Sequence, residues 1–102
     1  MKTVQVTYKA KTDYVTQNQA NIGQVMADLQ QMAHPGLLYH ACLGADGQTF
    51  THTAFFISDD DEQVLLTLPS FKHFQEQLKA HGIETPPKQE LMQLVGSSKS
   101  LF

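Results

Sequence analysis

Two kinds of apolar repeat alternate along this chain, and their order restricts the possible architectures more than any other feature. Val4, Val6, Tyr8 and Ala10 alternate with Thr3, Gln5, Thr7 and Lys9, the period-two pattern of a strand whose two faces differ. Val15, Ile22, Val25, Met26, Leu29 and Met32 then recur at helical spacing, which predicts a helix from Tyr14 to about Met32. Thr12-Asp13 offers its N-cap. Ala33-His34-Pro35-Gly36 ends it, because proline disfavours helix at His34 and glycine permits the turn.

Leu37 to Leu43 reads as a second strand and Thr49 to Ile57 as a third, joined through Gly44-Ala45-Asp46-Gly47. Placing Gly47 in the left-handed region gives a three-residue hairpin loop with a glycine bulge. In that register Gly44 faces Gln48, Cys42 faces Phe50, His40 faces His52 and Leu38 faces Ala54. One sheet face then carries Leu38, His40, Cys42, Phe50, His52, Ala54 and Phe56, and the other Leu37, Tyr39, Ala41, Leu43, Phe55 and Ile57 beside Thr49, Thr51 and Thr53. A two-residue loop instead separates the two histidines onto opposite faces.

Ser58-Asp59-Asp60-Asp61-Glu62 is an acidic turn suited to the start of a short helix through Val64, Leu65 and Leu66. It lacks the glycine and distal glutamate of a calcium-binding EF-hand loop. Pro69 fits the first turn of another helix, with Phe71, Phe74 and Leu78 as its apolar stripe and Gly82 at its end. Pro86-Pro87 opposes both helix and ladder pairing, so a last strand is expected from near Lys88 through Leu94-Val95. A flexible polar tail follows from about residue 96. The order βαββαβ in 102 residues is the ferredoxin-like plan: a single α+β domain over residues 1–102, with a four-stranded antiparallel sheet and helices on one face.

Composition removes several function classes. All seven basic residues are lysines, acidic residues outnumber them, and the net charge is −3. Without arginine, bidentate recognition of phosphates or base edges is poorly served, so no nucleic-acid partner is expected. No apolar run approaches the ~20 residues of a membrane span, and the N-terminus enters strand alternation directly. With Cys42 as the one cysteine there is no internal disulfide, and a cytoplasmic location is the default. Both faces of the hairpin carry apolar residues, which predicts a homodimer that buries the face opposite the helices.

The chain resembles the dimeric α/β-barrel superfamily, in particular the antibiotic biosynthesis monooxygenase-like domains. The resemblance spans nearly the whole chain and rests on His34-Pro35-Gly36-Leu37-Leu38-Tyr39, on Phe55-Phe56-Ile57-Ser58-Asp59 and on Leu68-Pro69-Ser70-Phe71. It implies two sheets packed face to face, a ligand cavity between sheet and helices in each subunit, and, where such domains are oxygenases, direct reaction of an electron-rich aromatic with oxygen without metal or flavin. The chain departs from the pattern where the family's third-strand tryptophan falls on Phe56, and where a helix histidine falls near Leu65. With no tryptophan and no arginine, haem degradation is not expected.

The residues with the chemistry for such a site are few. Asn18 shares the apolar stripe of the first helix, so its amide is expected to point at the sheet and to need a partner. His40 and His52, as cross-strand neighbours beside Cys42, are candidate catalytic groups with Asn18, positioning a substrate or accepting its proton. Phe56, Tyr8, Cys42 and Phe74 are candidate pocket residues, and Tyr39 offers a second phenol. Two strand histidines do not make a zinc site, and His73 falls beside the apolar stripe of its helix, so no metal is expected. His34 and His81 sit at helix ends, where complementing the dipole is the expected role. No glycine-rich phosphate-binding motif occurs, so no cofactor is expected. The leading expectation is a cofactor-independent monooxygenase-like enzyme acting on a small aromatic or quinone-like molecule. The alternative is a noncatalytic small-ligand-binding or stress-related module on the same scaffold.

Overall fold

A computed structural model describes residues 1–102. Its elements are β1 (Lys2–Ala10), α1 (Val15–Met32), β2 (Leu37–Leu43), β3 (Thr49–Phe56), α2 (Asp59–Leu66), α3 (Pro69–Gln77) and β4 (Ile83–Met92). All strand pairs are antiparallel and the sheet order is β2-β3-β1-β4, the ferredoxin-like arrangement predicted from the order of patterns. The main core lies between one sheet face and the helices. Val4, Tyr8, Ala10, Phe50, Ala54 and Phe56 from the sheet meet Val25, Leu65, Phe71, Phe74 and Leu78.

The β2–β3 register differs by one residue from the expected one. Tyr39 pairs with Ala54, Ala41 with His52 and His40 with Thr53, so His40 and His52 lie on opposite faces. Gly47 does take positive φ, at 71°, as only glycine does without strain. The loop nevertheless holds four residues, because the Gly44 amide donates to the Thr49 carbonyl at 2.7 Å. Gln48 is engaged elsewhere: the Ala10 amide donates to its carbonyl, and its own Nε2 donates to the Ala10 carbonyl, both at 3.0 Å. β1 therefore captures the residue that the shorter loop needed opposite Gly44. The faces regroup accordingly. Leu37, Tyr39, Ala41 and Leu43 join Phe50, His52, Ala54 and Phe56 beneath the helices, while Leu38, His40, Cys42 and Phe55 share the far face with Thr49, Thr51 and Thr53.

Three boundaries also shift. Thr12–Tyr14 forms a 3-10 turn ahead of α1, the Tyr14 amide donates to the Lys11 carbonyl at 2.9 Å, and no side chain caps the helix. Thr12-Asp13 is thus not the N-cap; the turn brings the Tyr14 ring against Gly82, where a Cβ would collide with it. β4 starts at Ile83 rather than near Lys88, and ends at Met92. It tolerates Pro86-Pro87 by a register shift: Thr7 pairs with Lys88 but Lys9 with Thr85, so an extra β4 residue bulges where amide donors are missing. His34, expected to complement a helix dipole, instead bonds Asp61 Oδ1 through Nε2 at 2.6 Å. Asp61 and Ser58 also form the capping box of α2, as the acidic turn foretold. His34 and these hydrogen bonds hold the Asp61 carboxyl below the usual range.

Candidate active site

Alternation along β1, β2 and β3 delivers Tyr8, Tyr39 and His52 to the helix side of the sheet, and α1 lays Asn18 over them. Asn18 is fully buried and His52 is 4% exposed. Their polar atoms form one chain. Asn18 Nδ2 donates to the Tyr8 hydroxyl oxygen at 2.8 Å; the Tyr8 oxygen lies 2.8 Å from His52 Nε2; and His52 Nδ1 lies 2.5 Å from the Tyr39 hydroxyl. Aromatic contacts fix the rings. Tyr8 stacks on Phe50 with centroids 5.5 Å apart, His52 stacks on Phe74 at 5.3 Å, and Tyr39 meets Phe71 edge-on at 5.9 Å.

With one lone pair of Tyr8 taken by the Asn18 amide, the expected tautomer of the neutral imidazole has the Tyr8 O–H directed at Nε2 and Nδ1–H donating to the Tyr39 oxygen. This leaves the Tyr39 hydroxyl hydrogen for a ligand. The reverse, Nε2–H to the second Tyr8 lone pair and the Tyr39 O–H to Nδ1, fits the same distances. Burial pushes the His52 pKa down to about 4, so the ring is neutral at pH 7. Burial likewise raises both Tyr8 and Tyr39 above the ordinary phenol value, with the Asn18 hydrogen bond opposing the shift at Tyr8. Asn18 Oδ1 is buried without a hydrogen-bond partner.

The network forms part of the wall of a cavity of about 490 Å³ between the sheet and α2–α3, within the size range of small-molecule sites. Tyr8, Tyr39, Phe56, Phe71 and Phe74 give it an aromatic lining, with Val4, Val6, Leu65, Leu78 and Ile83 around them. Glu62, Gln75, Lys79 and Gln89 are its remaining polar groups besides His52.

Of the residues singled out in the sequence, the fold brings together His52, Tyr8, Asn18, Phe56 and Phe74. It places His40 and Cys42 on the far face of the sheet, both exposed. Tyr39 takes the position beside His52 that the shorter loop gave to His40. An even-numbered hairpin loop was the signal for it. The sequence marks Phe71 only as part of an apolar helix stripe, and Lys79, Gln75 and Gln89 carry no recognisable motif. No group of three or more His, Cys, Asp or Glu side chains is arranged to hold a metal ion, and no helix is long and apolar enough to cross a membrane.

No family model and no curated relative matches the chain. Solved structures do. A protein from Nitrosomonas europaea, assigned provisionally to the antibiotic biosynthesis monooxygenases, superposes with a TM-score of 0.79 at 14% identity over 94% of this chain and 100% of its own. An antibiotic biosynthesis monooxygenase matches at 0.77 and 14% identity, with the same coverage of both chains. SnoaB, a cofactor-independent oxygenase from Streptomyces nogalater, matches at 0.71 and 13% identity over 97% of each chain. Identities this low speak for the fold alone. The chain has the fold of the antibiotic biosynthesis monooxygenase-like proteins.

Proposed function

We propose that the protein is a homodimeric, cofactor-independent monooxygenase-like enzyme acting on a small electron-rich aromatic, a phenol that it converts to a quinone. The observation that carries this reading is the Tyr8–His52–Tyr39 chain in the wall of an apolar, aromatic-lined cavity. The description of SnoaB, a protein of the same fold, as a cofactor-independent oxygenase supports the reaction class. Apolar walls bind the ring by burial, and Tyr39 gives it one directional hydrogen bond.

The chain of hydrogen bonds works in two senses. With Nδ1 protonated, Tyr39 donates to a ligand oxygen and stabilises negative charge developing there. A ligand that presents its own hydroxyl selects the other tautomer: its proton passes to the Tyr39 oxygen while the Tyr39 proton passes to Nδ1. The imidazolium so formed is disfavoured in the empty site by burial and is stabilised by the substrate anion beside it. The deprotonated ring then gives electrons to oxygen. A C–O bond forms, His52 returns its proton to the peroxide, and the O–O bond breaks with loss of water. The ring loses two hydrogens, one oxygen atom stays as the new carbonyl, and the other leaves in the water.

The test is oxygen uptake with a panel of phenols, followed by mass spectrometry of products formed under labelled oxygen. The expected result is one labelled atom per quinone, with uptake lost in His52→Ala. Tight binding of the panel without oxygen uptake overturns the enzyme and leaves a noncatalytic ligand-binding module.

The homodimer is supported by the far sheet face, where half-buried Leu38 and exposed Cys42 lie among threonines. Met92, which pairs with Thr3 on that face, is also exposed. Pairing two such faces about a two-fold axis covers them.

A further inference from the structure

The cavity is chemically two-ended, and the proposed oxidation uses only one end. Register sets the distance between them. Val6 pairs with His52 on β3 and with Gln89 on β4, so His52, Val6 and Gln89 form one row on the cavity side of the sheet. His52 and Gln89 are two strand spacings apart, about 10 Å. Gln75 and Lys79, four residues apart where α3 runs into its final turn, line the same cavity. α3 crosses the sheet from β2 towards β4, with Phe71 on Tyr39, Phe74 on His52 and Lys79 four residues before Ile83, where β4 begins. The hydroxyl–imidazole chain thus stands on the β2–β3 side and Lys79 with Gln89 on the β4 side, with Gln75 between.

The charges at the second end are not balanced. Glu62 and Lys79 are the only charged residues of the lining. Glu62 is held by Lys2 at 3.0 Å, which offsets its charge. Lys79 takes part in none of the ion pairs of the molecule, which join Lys2 to Glu62, Lys9 to Glu84, His34 to Asp61 and Lys88 to Glu90. An apolar cavity with one uncompensated cation and two amide groups at its rim favours a ligand that brings a single negative charge to that place.

Resting on the aromatic-substrate reading above, we propose that Gln75, Lys79 and Gln89 form a carboxylate-binding rim. The ligand is then a hydroxylated aromatic acid, with its hydroxyl at Tyr39 on β2 and its carboxylate on the β4 side, three strand spacings or about 14 Å of sheet away. A two-ring acid substituted on both rings reaches further across this span than a single-ring acid. Lys79 acts here as a specificity-determining residue and takes no part in the oxidation.

Lys79 also stands in the last helical turn, where a cation complements the helix dipole, and the experiment must separate the two roles. Calorimetric titration of the full-length protein compares a naphthol with the hydroxynaphthoate carrying its carboxylate on the ring opposite the hydroxyl. The expected result is about fivefold tighter binding of the acid at low salt, the scale of a partly exposed ion pair, with the preference shrinking at high salt. Lys79→Gln removes the preference, Gln89→Leu reduces it, and Lys72→Gln on α3 retains it. Equal binding of the two compounds by the native protein, or an undiminished preference in Lys79→Gln, overturns the rim and leaves the aromatic site standing. Failure of both compounds to bind overturns the rim and the aromatic site together.

Discussion

Tyr39 and His52 are diagonal neighbours across β2 and β3, and their side chains close to 2.5 Å between the phenol oxygen and Nδ1. Neither is the other's direct partner: Tyr39 faces Ala54, and His52 faces Ala41. The small alanines leave space for two rings to lean together, a reach that aromatic side chains have along the diagonal of an antiparallel pair. His52 thereby gains a second phenol, and both of its ring nitrogens are occupied in a buried setting.

That setting makes stability depend on pH in a defined window. Burial lowers the folded-state pKa of His52 to about 4, below the ~6.5 of an unfolded histidine. The unfolded chain therefore binds the extra proton first, and folding stability falls as pH drops from about 6.5 towards 4. The loss over that range is on the order of 3 kcal/mol. Urea unfolding between pH 7 and pH 4 should show this slope, and His52→Gln should flatten it. Asp61, whose carboxyl is held low by His34 and Ser58, and Asp46, held at about 2 chiefly by the Thr49 hydroxyl, act below this window. Their contributions are present above the ordinary carboxylate range and lost beneath it. A slope that survives in His52→Gln would assign the effect to another group.

Truncation at His52 is more severe than exchange. His52→Ala opens a void beneath Phe74 and leaves the Tyr8 and Tyr39 hydroxyls without their shared partner. The cost is expected at about 2–4 kcal/mol, with turnover of any substrate lost and the dimer intact. Unfolding and sedimentation measure the two separately, and full turnover in a folded His52→Ala would remove the proton acceptor.

Asn18 is expected to set the tautomer. Nitrogen-15 spectra of the native protein should show the proton on Nδ1 of His52. Asn18→Leu frees the Tyr8 oxygen from its amide donor, so the preference should weaken, and stability should fall by about 1–3 kcal/mol. A native ring protonated on Nε2 would overturn this expectation.

The far sheet face supplies a test of association. Thr53 pairs with Gln5 on one side and His40 on the other, at the middle of that face. Thr53→Glu should convert a dimer of two 11.4 kDa chains into monomers, as read by sedimentation, because burying an unpaired carboxylate in each subunit is costly. His40→Ala should leave naphthol binding unchanged, since His40 is on the side of the sheet away from the cavity. A native protein that sediments as a monomer at micromolar concentration would end the homodimer.

Much of this fold was legible because its signals are local. Alternation in β1, the apolar stripe of α1, the acidic cap of α2 and Pro69 at the start of α3 each act within a few residues, and each leads to the element observed. The hairpin register is not local. Loops ending at Gly47 or at Gln48 differ by one residue, and what separates them is the bond between Gln48 and Ala10, 38 positions away. That residue decides whether His40 or Tyr39 stands beside His52. The burial of Asn18 followed from its place on the helix stripe, but its partner Tyr8 lies on β1, and no spacing rule links them. The prolines of β4 signalled a break correctly as chemistry, whereas the sheet absorbed them as a bulge and kept the strand.

That bulge also bears on how copies of the chain meet. β4 is an edge of the sheet, and an edge strand with free amides invites another strand to add alongside it. Pro86 and Pro87 remove two consecutive amides, and the shifted register around them twists the edge out of line with any incoming ladder. Open-ended growth of the sheet from this side is thereby disfavoured.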